Sequence, residues 1–176
     1  MKRIEKLKDK VFFTKDVAGL LSISQSSVQQ WTKKGWIPSP VEGTGRARQY
    51  DYMDCIKINL IKTLAKDGIP FEIIGEVMNK VKTGTPLTIE QSLKHKEASL
   101  IIRYYDSGKI GVNCVNEFTY SGRKWKIGAD GTIIEESRDW FTFWNDTTKP
   151  ADQDHIKTHI VNLNYIERKT LELLSK

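Results

Sequence analysis

Residues 13–50 read FTKDVAGLLSISQSSVQQWTKKGWIPSPVEGTGRARQY, the pattern of two short helices followed by a hairpin. Thr14 is placed to cap the first helix, because its hydroxyl can accept a hydrogen bond from an amide of the opening turn. Val17, Ala18 and Leu21 then share one face, and the chain breaks at Ser22-Ile23. Ser24 is placed to cap a second helix, where Val28 and Trp31 fall three residues apart on the core side and Gly35 supplies the C-terminal stop. Ser26, Ser27, Gln29, Gln30 and Lys33 are left on the outer side. Such a face suits nucleic acid: hydroxyls and amides bond to base edges or phosphates, and an ammonium replaces a phosphate counterion. The two helices are therefore expected to form a helix-turn-helix that meets double-stranded DNA.

Between Ile37 and Tyr50, Pro38 and Pro40 stiffen the chain while Gly43 and Gly45 permit a tight turn, which predicts a compact hairpin. Arg46 and Arg48 flank Ala47, so in an extended strand both leave the same face. Two guanidiniums presented together fit a phosphate or a narrow minor groove, the alternative being surface ion pairs. Tyr50 either packs or touches a phosphate. The expected DNA-contacting set is thus Ser26, Ser27, Gln29, Gln30, Lys33, Arg46, Arg48 and Tyr50.

The ordered run Ser27-Val28-Gln29-Gln30-Trp31, then Gly35-Trp36-Ile37-Pro38, closed by Arg48-Gln49-Tyr50, resembles the winged helix-turn-helix of the MerR family of transcription regulators. The resemblance covers about residues 11–82, because 51–81, DYMDCIKINLIKTLAKDGIPFEIIGEVMNKV, looks like that family's second helix pair, down to the Gly68-Ile69 step between its helices. It implies a dimeric regulator of bacterial or phage origin that distorts promoter DNA so that RNA polymerase can engage. One departure is plain: the recognition helix carries Gln29 and Gln30 where the family has Arg and Tyr.

Composition fits a soluble globular chain, with 39% hydrophobic and 28% charged residues among 176, enough for one medium domain or two small ones. The formal charge of +6 lies wholly in residues 1–85, which hold 15 Lys and Arg against 9 Asp and Glu. A basic half beside a neutral half argues for a polyanion partner on one domain, although a solvated lysine-rich surface gives the same count. The basic run at residues 1–10 is read either as an arm along phosphates or as a frayed terminus. No segment approaches a membrane span, so a cytoplasmic protein is expected.

Cys55 and Cys114 lie far apart without a Cys/His cluster, so neither a disulfide framework nor a zinc site is indicated. His155 and His159 have metal-ligand spacing on a helix, but no Glu follows His155 to make a zincin motif, and a solvated pair is the plainer reading. No nucleophile-base constellation or phosphate loop occurs. The sequence predicts no enzyme, no metal and no cofactor.

Ile56, Leu60 and Leu64, with Met53 before them, form the core stripe of a third helix, leaving Lys57, Asn59, Lys62 and Lys66 on other faces. Gly68-Ile69-Pro70 breaks the chain before a fourth helix through Val81. Thr83-Gly84-Thr85-Pro86 marks a boundary. Beyond it the period turns strand-like: residues 99–115 pair around Asp106-Ser107-Gly108, residues 124–134 around Asp130-Gly131, and 139–144 suggests a further strand. Dense aromatics between Tyr104 and Trp144 either form that sheet's core or line an effector pocket. From about Asp152, the residues Ile156, Ile160, Leu163, Ile166, Thr170 and Leu173 give an amphipathic seam, although IKTHIVNLN also alternates as a strand would. The seam must cover the sheet or pair with a second chain.

The fold class that follows is α+β: a helix-turn-helix domain at residues 1–85, a small antiparallel β domain at 86–150, and a C-terminal amphipathic helix at 151–176 that serves dimerisation. The functional expectation is a sequence-specific, DNA-binding transcription regulator acting as a homodimer. A protein-interaction or mobile-element architectural module, with the β domain holding a partner, is the alternative.

Overall fold

The computed structural model describes residues 7, 9–38, 47–83, 88–94, 98–105, 107–115, 119–120, 123–124, 126–127, 133–134 and 155–175. The fold is mixed, with an N-terminal helical region, antiparallel strands and a C-terminal helix. The chain divides into two compact units. One runs to Asn79 and resumes at Ile166, and the other is Lys80–Tyr165.

The first unit opens with strand β1 (Phe12–Phe13) and helices α1 (Thr14–Leu20) and α2 (Gln25–Lys33). Strand β2 (Gln49–Tyr50) and helix α3 (Tyr52–Lys66) follow, and α4 (Phe71–Thr83) begins here. β1 and β2 pair antiparallel, Phe12 opposite Tyr50 and Phe13 opposite Gln49. Thr14 is the first helical residue rather than the cap: the Asp16 carboxylate reaches back to accept from the Phe13 amide at 3.0 Å, so a first-turn side chain satisfies the orphan donor. α1 ends in a Schellman turn, with the Ser22 amide donating to Gly19 and the Ile23 amide to Ala18. That turn puts Ser22 at φ 51°, in the left-handed region that glycine usually fills.

α3 is the centre of this unit. Asp51 caps it, its carboxylate accepting from the Asp54 amide at 2.7 Å while Asp54 accepts from the Asp51 amide. The stripe Ile56, Leu60 and Leu64 is buried as its spacing requires, but Cys55, Ile58, Asn59 and Ile61 are buried as well. Asn59, placed by the sequence on a non-core face, is only 7% exposed. A helix buried on more than one stripe needs cover on more than one side. The second cover is the last helix of the chain, α6 (Leu163–Leu174), whose Thr170 hydroxyl accepts from the Asn59 amide nitrogen at 3.0 Å and whose Glu167 accepts from the Tyr52 hydroxyl at 2.6 Å.

The second unit holds the end of α4, a short helix α5 (Ile89–Ser92), and strands β3 (Ser99–Tyr105), β4 (Ile110–Val115) and β9 (His155–Asn162). β3 is the middle strand of an antiparallel sheet ordered β4-β3-β9, with Leu100 opposite both Cys114 and Val161. The β3–β4 hairpin turns where the sequence places it, with Gly108 at φ 75° and the Gly108 amide donating to Tyr105. Short antiparallel pairs join β5 (Thr119–Tyr120) to β6 (Arg123–Lys124), and β7 (Lys126–Ile127) to β8 (Ile133–Ile134). α5 carries a capping box between Thr88 and Gln91. Residues 139–144 and most of the aromatic cluster lie outside the described residues.

The helix expected from residue 151 begins at Leu163, and residues 155–162 form β9 instead. The alternation of IKTHIVNLN prevails there because β3 offers a free ladder edge. His155 and His159 therefore stand on a strand, where the His159 ring meets Tyr104 edge-on at 5.6 Å. No group of His, Cys, Asp and Glu able to hold a metal occurs among the described residues. No described helix is long and apolar enough to cross a membrane.

Candidate nucleic-acid interface

α2 is fixed at both ends by its own sequence. At its start the Ser24 hydroxyl accepts from the Ser27 amide at 3.0 Å and bonds to the Ser26 and Ser27 hydroxyls at 2.9 and 2.7 Å. One hydroxyl offers one proton and two lone pairs, so Ser24 is saturated by these three neighbours. At its end the Gly35 amide donates to Thr32 and the Trp36 amide to Trp31, a Schellman turn that requires the φ of 73° only glycine adopts freely. Trp36 continues the lock. Its ring stacks on Phe71 of α4 at 6.5 Å and 15°, the Lys34 ammonium lies 4.7 Å from its centroid, and it rests against Gly75.

The inner face of α2 is Val28, Trp31 and Thr32, all buried. Its outer face presents Ser26, Gln29, Gln30 and Lys33 to solvent, with Ser27 half-buried beside the cap. No carboxylate occurs between Asp16 and Glu42, so the α2 segment carries lysines without acidic neighbours in sequence. The helix thus offers amides, hydroxyls and an ammonium on one rigid surface, the donor and acceptor set that base edges and phosphates require.

Arg48 and Tyr50 have different places from those their spacing suggests. The Arg48 guanidinium donates to the Gln29 carbonyl at 3.2 Å, tying the approach to β2 onto the outer helix. It has no carboxylate partner among the described residues, and its fork carries five donors, so one bond leaves capacity for an anion. Tyr50 is fully buried, and a side chain with no exposed surface cannot touch a phosphate. Thr32 uses its one proton on the Val28 carbonyl at 2.8 Å, so the Tyr50 hydroxyl donates to Thr32 at 3.1 Å and joins β2 to α2 from beneath. Tyr50 is a packing residue. Arg46 lies outside the described residues.

The sequence reading missed the residues that hold α2 from behind, Trp36, Phe71 and Gly75. Their signal was faint: a glycine inside an apolar helical pattern often marks a close approach, and here a Cβ on Gly75 would stand 2.8 Å from the Trp36 ring.

Residues 12–81 match the family described as MerR HTH family regulatory protein. No curated protein matches the chain. The matched span takes in β1, α1, α2, β2, α3 and nearly all of α4, the elements that build and support the exposed helix face. Residues 12–81 of this chain are a helix-turn-helix DNA-binding domain of the MerR family.

Proposed function

We propose that the protein is a sequence-specific transcription regulator that acts in the cytoplasm, reads the major groove of duplex DNA with α2 and grips the backbone with a basic wing ending at β2. The observation that carries this reading is the outer face of α2, where Ser26, Gln29, Gln30 and Lys33 are exposed on a helix locked at both ends. Gln29 and Gln30 are the base readers, since a Gln amide can bond two points on an adenine edge. Lys33, Arg46 and Arg48 are the phosphate contacts, and Arg48 also positions the helix through the Gln29 carbonyl. Ser26 and Ser27 meet the backbone near the helix N-terminus, where the dipole favours an anion. RNA polymerase is the downstream partner, engaged through altered promoter geometry, and the protein itself carries out no catalysis.

Pairing of two chains on one site belongs to this reading because one helix-turn-helix meets a half-site, too short for a useful specificity ratio against a genome. The seam expected to make the contact is Ile160, Leu163, Ile166 and Leu173, of which Ile160 and Leu173 are half-exposed. Leu163 and Ile166 are buried within the chain, and Ile160 lies on β9 opposite Ile101. Sedimentation at micromolar concentration, with and without duplex, tests the pairing.

The test of the function is binding to mixed-sequence duplex across a salt series. Neutralised phosphates must give a linear fall of log affinity with log salt, with a slope of about −0.9 for each contact. Binding that does not respond to salt, or no binding, would replace this proposal with the interaction-module reading.

A further inference from the structure

The family-matched span stops at Val81, yet the unit that holds it through Asn79 resumes at Ile166. Residues from Ile166 onward belong to the same compact unit, although more than eighty residues of chain lie between. Ile166, Thr170 and Leu174 are each less than 5% exposed, at the spacing of one helical face. Thr170 donates to the Ile166 carbonyl at 2.8 Å and accepts from Asn59 at 3.0 Å, so the one polar group in the stripe is satisfied inside the interior. Tyr52 and Asn59 lie seven residues apart, on one face of α3, and both bond to α6. α3 itself is buried on more than one stripe, with Cys55, Ile58, Asn59 and Ile61 covered beside Ile56, Leu60 and Leu64.

We infer that α6 is a clasp on the DNA-binding unit: the helix-turn-helix is completed by the far end of the chain, and DNA affinity depends on that helix staying seated against α3. The physical ground is cover. Without α6, the Asn59 amide, only 7% exposed, would lose its acceptor and the Tyr52 hydroxyl its carboxylate, and a small unit uncovered along that face of its central helix populates open states. Whatever unseats α6, including chain loss at the C-terminus, would then disable the recognition helix without touching it. The stripe Ile166, Thr170 and Leu174 is covered within the chain, which makes the C-terminal helix a control on DNA binding. This rests on the proposed DNA-binding role, so the experiment has one arm that needs no DNA.

The test uses the full chain with Leu174→Asp, which places a carboxylate in the buried stripe, and with Thr170→Val, which removes the acceptor for Asn59 and the donor to the Ile166 carbonyl at nearly constant volume. Hydrogen exchange is read amide by amide, and affinity for mixed duplex is measured alongside. Leu174→Asp should speed exchange in α3 and in α6 beyond Ile166 together, while the β3 and β4 amides keep their protection and show that the chain is folded. Affinity should fall about tenfold, the factor reached when only a tenth of molecules retain the competent unit. Thr170→Val should do the same to a smaller degree. Faster exchange in α6 with unchanged exchange in α3 overturns the clasp, as does unchanged affinity in a variant whose α3 has opened. If neither the parent nor the variants bind DNA, the DNA-binding reading fails, and the exchange arm still decides whether α6 completes the unit.

Discussion

Gly75→Ala sets two opposing terms against each other at the back of α2. Gly75 sits inside α4, where alanine is the better helix former by about 1 kcal/mol. An added Cβ, however, would stand 2.8 Å from Cζ2, 3.1 Å from Cε2 and 3.2 Å from Nε1 of Trp36. Carbon atoms rest at about 3.5–4.0 Å, so the ring must move by roughly 0.7–1.2 Å. It has little freedom to do so, being 7% exposed, stacked on Phe71 and anchored by its own amide to Trp31. Overpacking of this kind costs about 1–3 kcal/mol, which outweighs the propensity gain in most of its range. The expected outcome is a net loss of about 1 kcal/mol, read as a lower urea midpoint at unchanged slope. In a Trp36→Leu background the clash is gone, and the same Gly75→Ala change should raise the midpoint. A Gly75→Ala protein more stable than its parent while Trp36 is present would refute the reasoning, since the ring would then be free to yield.

Ser22→Gly should stabilise by about 0.5–1 kcal/mol, because the residue holds φ 51° in the turn that ends α1 and glycine carries no Cβ penalty there; an unchanged thermal midpoint would count against that strain. Gln29→Ala or Gln30→Ala should relax sequence preference more than it lowers affinity for random duplex, the reverse of Arg46→Ala with Arg48→Ala, which should weaken both alike and flatten the salt slope; unchanged preference would remove α2 as base reader. Burial pushes both thiols from the ordinary 9.0 up to about 12, with Asp54 and Asp51 adding to the effect at Cys55. At pH 8 the folded protein should therefore resist iodoacetamide and the unfolded chain should react, and alkylation at a free cysteine's rate would show that the thiols are accessible. A folded pKa above the unfolded one means that this contribution to stability is complete below pH 9 and lost as pH rises towards 12. The denaturation midpoint should fall across that interval.

The sequence by itself determined the local elements whose chemistry sits within a few residues. Ser24, Gly35, Asp51 and Gly68 set helix ends because caps and left-handed turns are satisfied by neighbours in the chain, and Val28, Trp31, Ile56, Leu60 and Leu64 fell to the core by periodicity. The exposed face of α2 was legible for the same reason, being what the core pattern leaves over. Tertiary structure decided whatever depended on a partner distant in sequence. Tyr50 and Arg48 read alike as wing residues, but a hydrogen bond to Thr32 buries one and a bond to Gln29 draws the other to the helix. Asn59 reads as a surface residue until α6 supplies Thr170, more than a hundred positions away. Residues 155–162 alternate, and 163–174 keep a helical period, yet only the ladder with β3 and the second buried stripe of α3 assign the strand to the sheet and the helix to the DNA-binding unit. Periodicity records that a residue needs cover, and only the packed chain shows which segment supplies it.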